Sequence, residues 1–158
     1  MSTTYTAGVV GGSGFTGGEL LRLIAGHPDL ELAYATSRQF ERKTVGYVHP
    51  NLRELELRFV APDALEPVDV LFTATPHGVT MQQIETFTDT APLVVDLSAD
   101  FRLPDAALYD EWYDGHAAPS YLADATYGLV ELTRAELPGA RIIAAGGCNA
   151  TAVILGLK

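Results

Sequence analysis

A glycine-rich turn near the start of the chain constrains the fold more than any other stretch of the sequence. An apolar run at residues 6–10 leads into this turn, and a helical pattern follows at once. Gly11, Gly14 and Gly17 have the G-x-x-G-x-x-G spacing of a turn that binds a dinucleotide. Such glycines allow a tight turn, close approach of a pyrophosphate and close packing of the helix on the strand. Ordinary turns also contain glycines, so the interpretation depends on the flanking strand and helix.

The helix after the turn gives a second reason to expect a phosphate-binding site. The first N–H groups of a helix have no partner within it, and its N-terminus carries partial positive charge. The residues predicted to contact the cofactor at this point are Gly11, Gly12, Ser13, Gly14, Phe15 and Thr16.

The rest of the sequence alternates short apolar runs with helical patterns, which is typical of an α/β protein. We predict a Rossmann-like, doubly wound and mostly parallel sheet. The predicted strands cover residues 6–10, 30–35, 68–73, 93–97 and 141–145, with a weaker strand at 57–60. The predicted helices cover residues 16–25, 79–87 and 133–137, a surface helix within 104–119, and the chain from 148 onward.

Length and composition are those of a globular protein. A chain of 158 residues with 47% hydrophobic residues can form one domain with a substantial core. No apolar run approaches the roughly 20 residues that span a membrane, and no signal-peptide pattern opens the chain. We therefore expect a cytoplasmic protein that has no membrane contact.

The charge balance narrows the choice of partners. A net charge of −10 argues against a general nucleic-acid-binding protein. Lys43 and Lys158 are the only lysines in the sequence. A salt-adapted, halophilic cytoplasm favours such an acidic, lysine-poor surface. Many mesophilic enzymes are also mildly acidic, so the composition leaves that alternative open.

The segment after the second predicted strand indicates which dinucleotide binds. An NAD site usually has an Asp or Glu about 20 residues beyond the glycines, where it binds the ribose 2′-hydroxyl. This chain has Ser37 and Arg38 instead, and a hydroxyl beside a guanidinium suits a 2′-phosphate. Arg42 and Lys43 add positive charge nearby. We therefore predict NADP(H) as the cofactor, although a solvated basic loop would contain the same residues.

Loops after two later strands supply further candidates. Pro76 and His77 follow the strand at 68–73, where loops of parallel sheets contact ligands. A lone loop histidine is also commonly just solvated. After the next strand, Arg102 is a candidate for binding an anionic substrate or for pairing with Asp100.

Cys148 is the candidate catalytic nucleophile. It is the only cysteine, which excludes an internal disulfide and a multi-cysteine metal site, and we predict no metal. It follows a strand and two glycines at the start of a helix, where the positive end field favours thiolate over thiol. A free cysteine is more commonly an inert small hydrophobic residue. Asn149, beside it, is a candidate substrate contact.

Taken together, these residues resemble the N-terminal part of the N-acetyl-γ-glutamyl-phosphate reductase family. Beyond the glycine turn and the cysteine box at 146–151, the resemblance lies in the blocks at 19–20, 37–38, 49–52, 76–78, 96–102 and 127–129. Bacterial members have Pro-Gly-Cys followed by Tyr-Pro-Thr, whereas this chain has Gly-Gly-Cys-Asn-Ala-Thr at 146–151. That sequence is similar to the archaeal branch, whose substrate is carried by the small acidic carrier protein LysW.

The resemblance implies an NADPH-dependent reductase of an acyl phosphate in arginine or lysine biosynthesis. The Cys148 thiolate would attack the acyl phosphate, phosphate would leave, and hydride would reduce the thioester to a semialdehyde. The substrate would be LysW-linked glutamyl or aminoadipyl phosphate, or alternatively N-acetyl-γ-glutamyl phosphate. The family's catalytic histidine lies in its second domain and matches none of the four histidines present here.

The resemblance also sets the expected domain organisation. We expect residues 1–147 to form an NADP-binding Rossmann domain and residues 148–158 to form a catalytic-cysteine helix. That helix would lead into an α+β substrate and dimerisation domain that this sequence lacks, and the full-length protein would be a homo-oligomer. A non-catalytic NADP-sensing domain is the alternative of another class. A short-chain reductase would need a Tyr-x-x-x-Lys pair, and Gln39 stands where that tyrosine would precede Lys43.

Overall fold

The computed structural model describes residues 4–158 and shows strands alternating with helices. The strands are β1 (Tyr5–Val10), β2 (Leu30–Ala35), β3 (Val70–Thr73), β4 (Leu93–Asp96), β5 (Ala125–Gly128) and β6 (Ile142–Ala145). The helices are α1 (Phe15–Ala25), α2 (Val45–Val48), α3 (Thr80–Thr90), α4 (Ala106–Asp110), α5 (Val130–Thr133) and α6 (Cys148–Leu157). Short 3₁₀ helices cover Pro50–Leu52, Pro119–Asp124 and Arg134–Glu136.

The chain divides into two compact units. The first contains the chain up to Ala74 together with Asp89–Pro92, and the second contains Thr75–Thr88 and Leu93–Lys158. Each unit has its own parallel strands, so each is described separately below.

In the first unit, β1 is the central strand. It pairs in parallel with β2 on one side and with β3 on the other, so that Val9 lies opposite both Ala35 and Phe72. The next strand along the chain, β2, lies on one side of β1, and the strand after it, β3, lies on the other side. The end of β1 is therefore a topological switch point. Ligands of open α/β sheets bind at such points, outside the carboxyl ends of the strands. The glycine turn begins at this end of β1.

The core of the first unit explains why these residues fold together. Helix α1 buries Leu21 and Ile24 against the apolar face of β1 and β2. Helical spacing places both side chains on one face of α1, so the helix packs with its other face in solvent. The buried residues of this core are Ala7, Val9, Leu21, Ile24, Ala35, Val45, Leu52 and Phe59.

In the second unit, β6 pairs in parallel with β4 on one side and β5 on the other. Ala144 lies opposite Asp96 of β4 and Tyr127 of β5. The carboxyl ends of the three strands therefore meet at one edge. The segment that contains Arg102 and the segment that contains Cys148 both start from this edge.

The Rossmann-like, doubly wound parallel fold is confirmed, and most predicted elements are present with shifts of a few residues at their ends. The predicted strand at 57–60 is wrong. That segment makes only two isolated bridges, Thr36 with Val60 and Thr44 with Arg58. Thr36 and Thr44 stand at the two ends of the loop at 37–43. The segment at 57–60 closes that loop and does not extend a sheet.

Two helix predictions also need correction. The surface helix expected within 104–119 is only the short α4, which Asp105 caps by accepting from the N–H groups of Ala107 and Leu108. Helix α4 ends at Asp110, and beyond it Gly115 has a φ of +56°, a left-handed conformation that a continuing helix does not contain. The helix expected at 133–137 begins earlier, as α5, and continues only as a short 3₁₀ turn. Within residues 4–158, no helix is long and apolar enough to cross a membrane.

Candidate functional site

The glycine turn is anchored to the end of β2 through Thr36. The Gly11 N–H donates to Thr36 Oγ1 at 3.2 Å, and the Gly12 N–H donates to the Thr36 carbonyl at 2.9 Å. Thr36 is itself held by its N–H, which donates to the Val9 carbonyl at 2.8 Å. Gly11 has a φ of +80°, which a residue with a side chain rarely adopts. The backbone of the turn is thus fixed before any ligand arrives.

Gly17 and Gly14 have different surroundings in this turn. A β-carbon added at Gly17 would lie 2.3 Å from the Gly11 carbonyl oxygen, so only glycine lets α1 approach the turn this closely. A β-carbon added at Gly14 would meet only the same oxygen at 3.6 Å, an ordinary contact. Gly14 is exposed and directly precedes α1, and within residues 4–158 no side chain caps that helix end. The free N–H groups of Phe15 and Thr16 are therefore open to an anion.

The two residues predicted to bind the 2′-phosphate have different environments. Ser37 is buried, its hydroxyl donates to Ser13 Oγ at 2.8 Å, and it accepts from the Phe40 N–H at 3.0 Å. Ser37 therefore links the end of β2 to the glycine turn. Arg38 is exposed directly beside it. A fixed hydroxyl and a free guanidinium are thus adjacent at the end of β2.

The loop that carries the other basic residues is held by hydrogen bonds to the segment at 57–60. The Arg42 N–H donates to the Phe59 carbonyl at 2.8 Å, and Arg58 Nη1 donates to the Arg42 carbonyl at 2.9 Å. Arg42 adopts a φ of +65°, and its side chain is exposed, as is that of Lys43. The Lys43 ammonium lies 5.3 Å from the centre of the Tyr47 ring. These exposed cations raise the local positive potential on an acidic chain.

In the second unit, Asp100 fixes the loop that contains Pro76 and His77. Asp100 is fully buried; Oδ1 accepts from the Gly78 N–H at 2.6 Å and Oδ2 accepts from the Met81 N–H at 2.9 Å. These bonds place a carboxylate at the positive N-terminal end of α3. Pro76 and His77 are left exposed on the loop.

A chain of buried polar groups orients Asp100. Asp96 accepts from both the N–H and the hydroxyl of Ser98, at 3.1 and 2.7 Å, and Ser98 Oγ accepts from the Asp100 N–H at 3.1 Å. Burial, followed by the negative charge of Asp100, raises the pKa of Tyr109 to about 12. Tyr109 therefore stays neutral at physiological pH and adds no charge to this cluster.

Arg102 does not pair with Asp100, so that alternative is wrong. Nε of Arg102 donates to the Ala145 carbonyl at 2.8 Å, and Nη2 donates to the Leu97 carbonyl at 2.7 Å. The guanidinium therefore bridges the ends of β4 and β6. A β-carbon added at Gly147 would lie 2.9 Å from Nη1, so glycine is needed for this close approach.

Cys148 is the first residue of α6 and is exposed. The first bond of the helix is from the Thr151 N–H to the Gly147 carbonyl at 2.8 Å, and within residues 4–158 no side chain caps this end. Asn149 is exposed beside the cysteine, with its Oδ1 3.9 Å from Sγ. The N–H groups that precede the first helical bond are available to negative charge on a substrate.

A cavity of about 460 Å³ lies beside the cysteine. It is lined by Ala99, Arg102, Leu103, Trp112, Tyr113, Tyr127, Gly147 and Ala150. The walls are mainly apolar and aromatic, and Arg102 is the cation among them. Such a cavity suits a short organic chain that carries an anionic group.

Sequence reasoning missed two contacts of these sites. Tyr113 lines the cavity and also packs on His77, with 5.6 Å between the ring centres, so it connects the cavity wall to the loop at 76–78. His49 bonds to the glycine turn. Its place in the block at 49–52, which resembles the family, was the one sequence signal that could have pointed to a functional contact. Within residues 4–158, no group of three or more His, Cys, Asp or Glu side chains could hold a metal ion.

The sequence matches one family model over most of its length. The model is that of the semialdehyde dehydrogenase NAD-binding domain, and the match covers residues 6–140. The chain belongs to this family. Membership confirms both the Rossmann-like fold and the prediction of a nicotinamide dinucleotide cofactor.

Curated relatives of this semialdehyde dehydrogenase NAD-binding domain confirm the resemblance drawn from its motifs. A protein of Haloquadratum walsbyi, with the provisional name LysW-L-2-aminoadipate/LysW-L-glutamate phosphate reductase, is 68% identical over 154 residues, covering 98% of this chain and 44% of the relative. An N-acetyl-gamma-glutamyl-phosphate reductase of Bordetella avium is 49% identical over 155 residues, covering 95% of this chain and 44% of the relative. The chain therefore spans less than half the length of these relatives.

A solved structure supports the fold independently. Aspartate semialdehyde dehydrogenase II of Vibrio cholerae, solved in complex with ASA, matches this chain with a TM-score of 0.71 and 17% identity. The match covers 99% of this chain and 42% of that protein. At this identity the likeness concerns the fold alone.

Proposed function

We propose that this chain is the cofactor-binding and nucleophile-bearing part of an NADPH-dependent reductase that converts an acyl phosphate to a semialdehyde. One observation carries the proposal: Cys148 begins α6 directly after Gly147, whose backbone lies against the guanidinium of Arg102. A sulfur nucleophile beside a fixed cation suits attack on an anionic acyl phosphate. The names of the two curated relatives support the same type of reaction.

In this proposal Cys148 Sγ attacks the carbonyl carbon of the acyl phosphate. A C–S bond forms, the C–O bond to phosphate breaks, and its electron pair leaves with inorganic phosphate. Arg102 binds the phosphate and stabilises its negative charge during departure. The free N–H groups of Asn149 and Ala150 stabilise the charge that develops on the carbonyl oxygen. NADPH, when bound, supplies the hydride, and the cysteine thiolate then leaves as the aldehyde forms.

The first unit supplies the proposed cofactor site. Gly14 leaves room for a pyrophosphate, and the uncapped N-terminus of α1 provides donors for it. Ser37 and Arg38 supply a hydroxyl and an exposed guanidinium for the 2′-phosphate of NADP. In the second unit, Pro76 and His77 are the proposed additional cofactor contacts.

The Arg38→Ala variant tests the choice of NADP over NAD. Because Arg38 would bond only to the 2′-phosphate, its loss should weaken NADPH binding by about 1.5–3 kcal/mol, the cost of one charge-assisted contact. NADH binding should change little. Titration of both nucleotides into the full-length protein measures the difference. Arg22→Ala, which removes an exposed arginine on α1, is the matched charge control. An equal loss for both nucleotides would show that the 2′-phosphate assignment is wrong.

The proposed substrate is LysW-linked glutamyl or aminoadipyl phosphate. The cysteine box without the bacterial prolines and the name of the Haloquadratum walsbyi relative support this choice over the N-acetylated substrate. In this proposal residues 1–147 bind the cofactor, and α6 leads into a substrate and dimerisation domain of the full-length protein. That domain would supply the catalytic histidine and the homo-oligomer interface.

Phosphate-dependent reduction of NADP by the full-length protein tests the proposed reaction. The assay compares LysW-linked semialdehyde with N-acetylated glutamate semialdehyde at equal concentration. We expect faster turnover of the carrier-linked substrate. Faster turnover of the N-acetylated one would assign the protein to arginine biosynthesis through N-acetyl-γ-glutamyl phosphate. NADPH binding without turnover of either would instead identify a non-catalytic NADP-sensing domain.

A further inference from the structure

His49 contacts the glycine turn, although the two are far apart along the chain. His49 Nε2 lies 2.9 Å from the carbonyl oxygen of Gly12, although the two residues are 37 positions apart. A carbonyl can only accept, so Nε2 is protonated and donates. Gly12 is buried, which makes a lost bond to its carbonyl costly.

The ring of His49 is also held in place by packing. A β-carbon added at Gly18 would lie 2.4 Å from His49 Cε1, so the ring rests directly on the first turn of α1. On another side the ring meets Phe59 edge to face, with 6.4 Å between the ring centres. The His49 N–H donates to the Val45 carbonyl at 2.8 Å and fixes the backbone that carries the ring.

The bond to Gly12 determines the direction of a neighbouring donor. A trans peptide unit is planar, so its C=O and N–H groups point in opposite directions. When His49 holds the Gly12 carbonyl, the Ser13 N–H of the same peptide must point away from His49. Thr36 fixes the preceding peptide through the Gly12 N–H, which prevents the segment from rotating as a whole. Within residues 4–158, no hydrogen-bond acceptor for the Ser13 N–H is present.

We propose that His49 is a positioning residue for the pyrophosphate of the cofactor, an inference that rests on the proposed cofactor site. By holding the Gly12 carbonyl, His49 keeps the Ser13 N–H aimed as a donor at the start of α1. Without this bond the Gly12–Ser13 peptide can rotate and turn a carbonyl oxygen towards the phosphates. His49 itself contacts no phosphate.

Two variants of His49 separate the hydrogen bond from the packing. His49→Leu keeps an apolar contact on Gly18 but removes the donor. His49→Gln retains an amide N–H that reaches the same carbonyl. We expect His49→Leu to weaken both NADPH and NADH binding about tenfold, the usual effect of losing one hydrogen bond to a charged group such as a phosphate. His49→Gln should stay within about twofold of the unaltered protein. The NADPH-to-NADH affinity ratio should not change, because the pyrophosphate is common to both nucleotides.

Gly18→Ala tests the same contact from the other side. Its methyl group would push the ring of His49 off the turn, while alanine favours the helical conformation of α1 more than glycine does. We expect weaker nucleotide binding, and the gain in helix propensity should offset part of the thermal stability that is lost with the bond. Because both changes break one bond, the Gly18→Ala/His49→Leu double variant should bind no more weakly than His49→Leu alone.

Nucleotide titration and thermal unfolding of the full-length variants give the result. Unchanged affinity in His49→Leu, or an equal loss in His49→Gln, would overturn the role of His49 while leaving the proposed function intact. A loss confined to NADPH would also overturn it, because that result would locate the effect at the 2′-phosphate. Failure of the unaltered protein to bind either nucleotide would overturn the proposed function and this inference together.

Discussion

Replacing Cys148 with serine in the full-length protein is expected to abolish phosphate-dependent oxidation of the semialdehyde. A serine hydroxyl is a far weaker nucleophile than a thiolate, because it stays protonated at neutral pH. Loss of a catalytic nucleophile commonly lowers kcat by on the order of 10³-fold or more. Formation of NADPH, followed by its absorbance, measures the effect. Alkylation of Cys148 in the unaltered protein should have the same result.

The same variant should keep its fold and its cofactor. Cys148 is exposed and, within residues 4–158, its side chain makes a single weak hydrogen bond, to Asn149, so Cys148→Ser should not alter the unfolding temperature. NADPH affinity should also be unchanged, since Cys148 is not among the proposed cofactor contacts. Turnover that survives the substitution would rule out a thioester intermediate. A protein that binds NADPH and never turns over, with or without Cys148, would instead match the NADP-sensing alternative.

Gly17→Ala is expected to have the second large effect, on the fold itself. Its β-carbon would lie 2.3 Å from the Gly11 carbonyl oxygen and 2.7 Å from Gly12 Cα, both of which are backbone atoms that cannot move aside as a side chain would. Overpacking of this kind costs about 3 kcal/mol, a large share of the 5–15 kcal/mol that stabilises a typical domain. We expect the unfolding temperature to fall by roughly 10 °C and NADPH binding to be lost.

Gly14→Ala is the matched comparison for Gly17→Ala. A β-carbon at Gly14 meets only one atom, at 3.6 Å, and the backbone of Gly14 is in an extended conformation that alanine also adopts. The free energy of unfolding should therefore change by no more than about 0.5 kcal/mol. NADPH affinity should nevertheless fall about tenfold or more, because the methyl group occupies the space left for the pyrophosphate. Unchanged affinity in a folded Gly14→Ala protein would show that the pyrophosphate does not bind at this turn.

Local patterns in the sequence predicted the parts of the fold that are determined locally. The glycine turn between β1 and α1 follows from glycine spacing and from apolar periodicity over a few residues. The start of α6 at Cys148 follows in the same way from a buried strand, two glycines and a helical pattern. Each of these features depends on neighbours along the chain, so one sequence is enough to find it.

Contacts between distant residues could not be predicted in this way. Asp100 and Arg102 are two residues apart and of opposite charge, which suggested an ion pair. In the structure, Asp100 binds the start of α3, and Arg102 binds the ends of β4 and β6. The contacts of both residues depend on which strand ends lie next to each other, and the order of the strands in the sheet determines this. His49 and Gly12 are likewise brought together only by the tertiary fold.

The bonds that hold Arg102 determine the range of pH and ionic strength over which its guanidinium stays oriented. Two neutral backbone carbonyls, those of Leu97 and Ala145, orient the guanidinium, and within residues 4–158 no carboxylate forms an ion pair with it. Carbonyl groups do not titrate, and dissolved ions screen bonds to them far less than they screen exposed ion pairs. The orientation of Arg102 should therefore persist from acidic to alkaline pH and at molar ionic strength. Its full positive charge also remains available to an incoming anion.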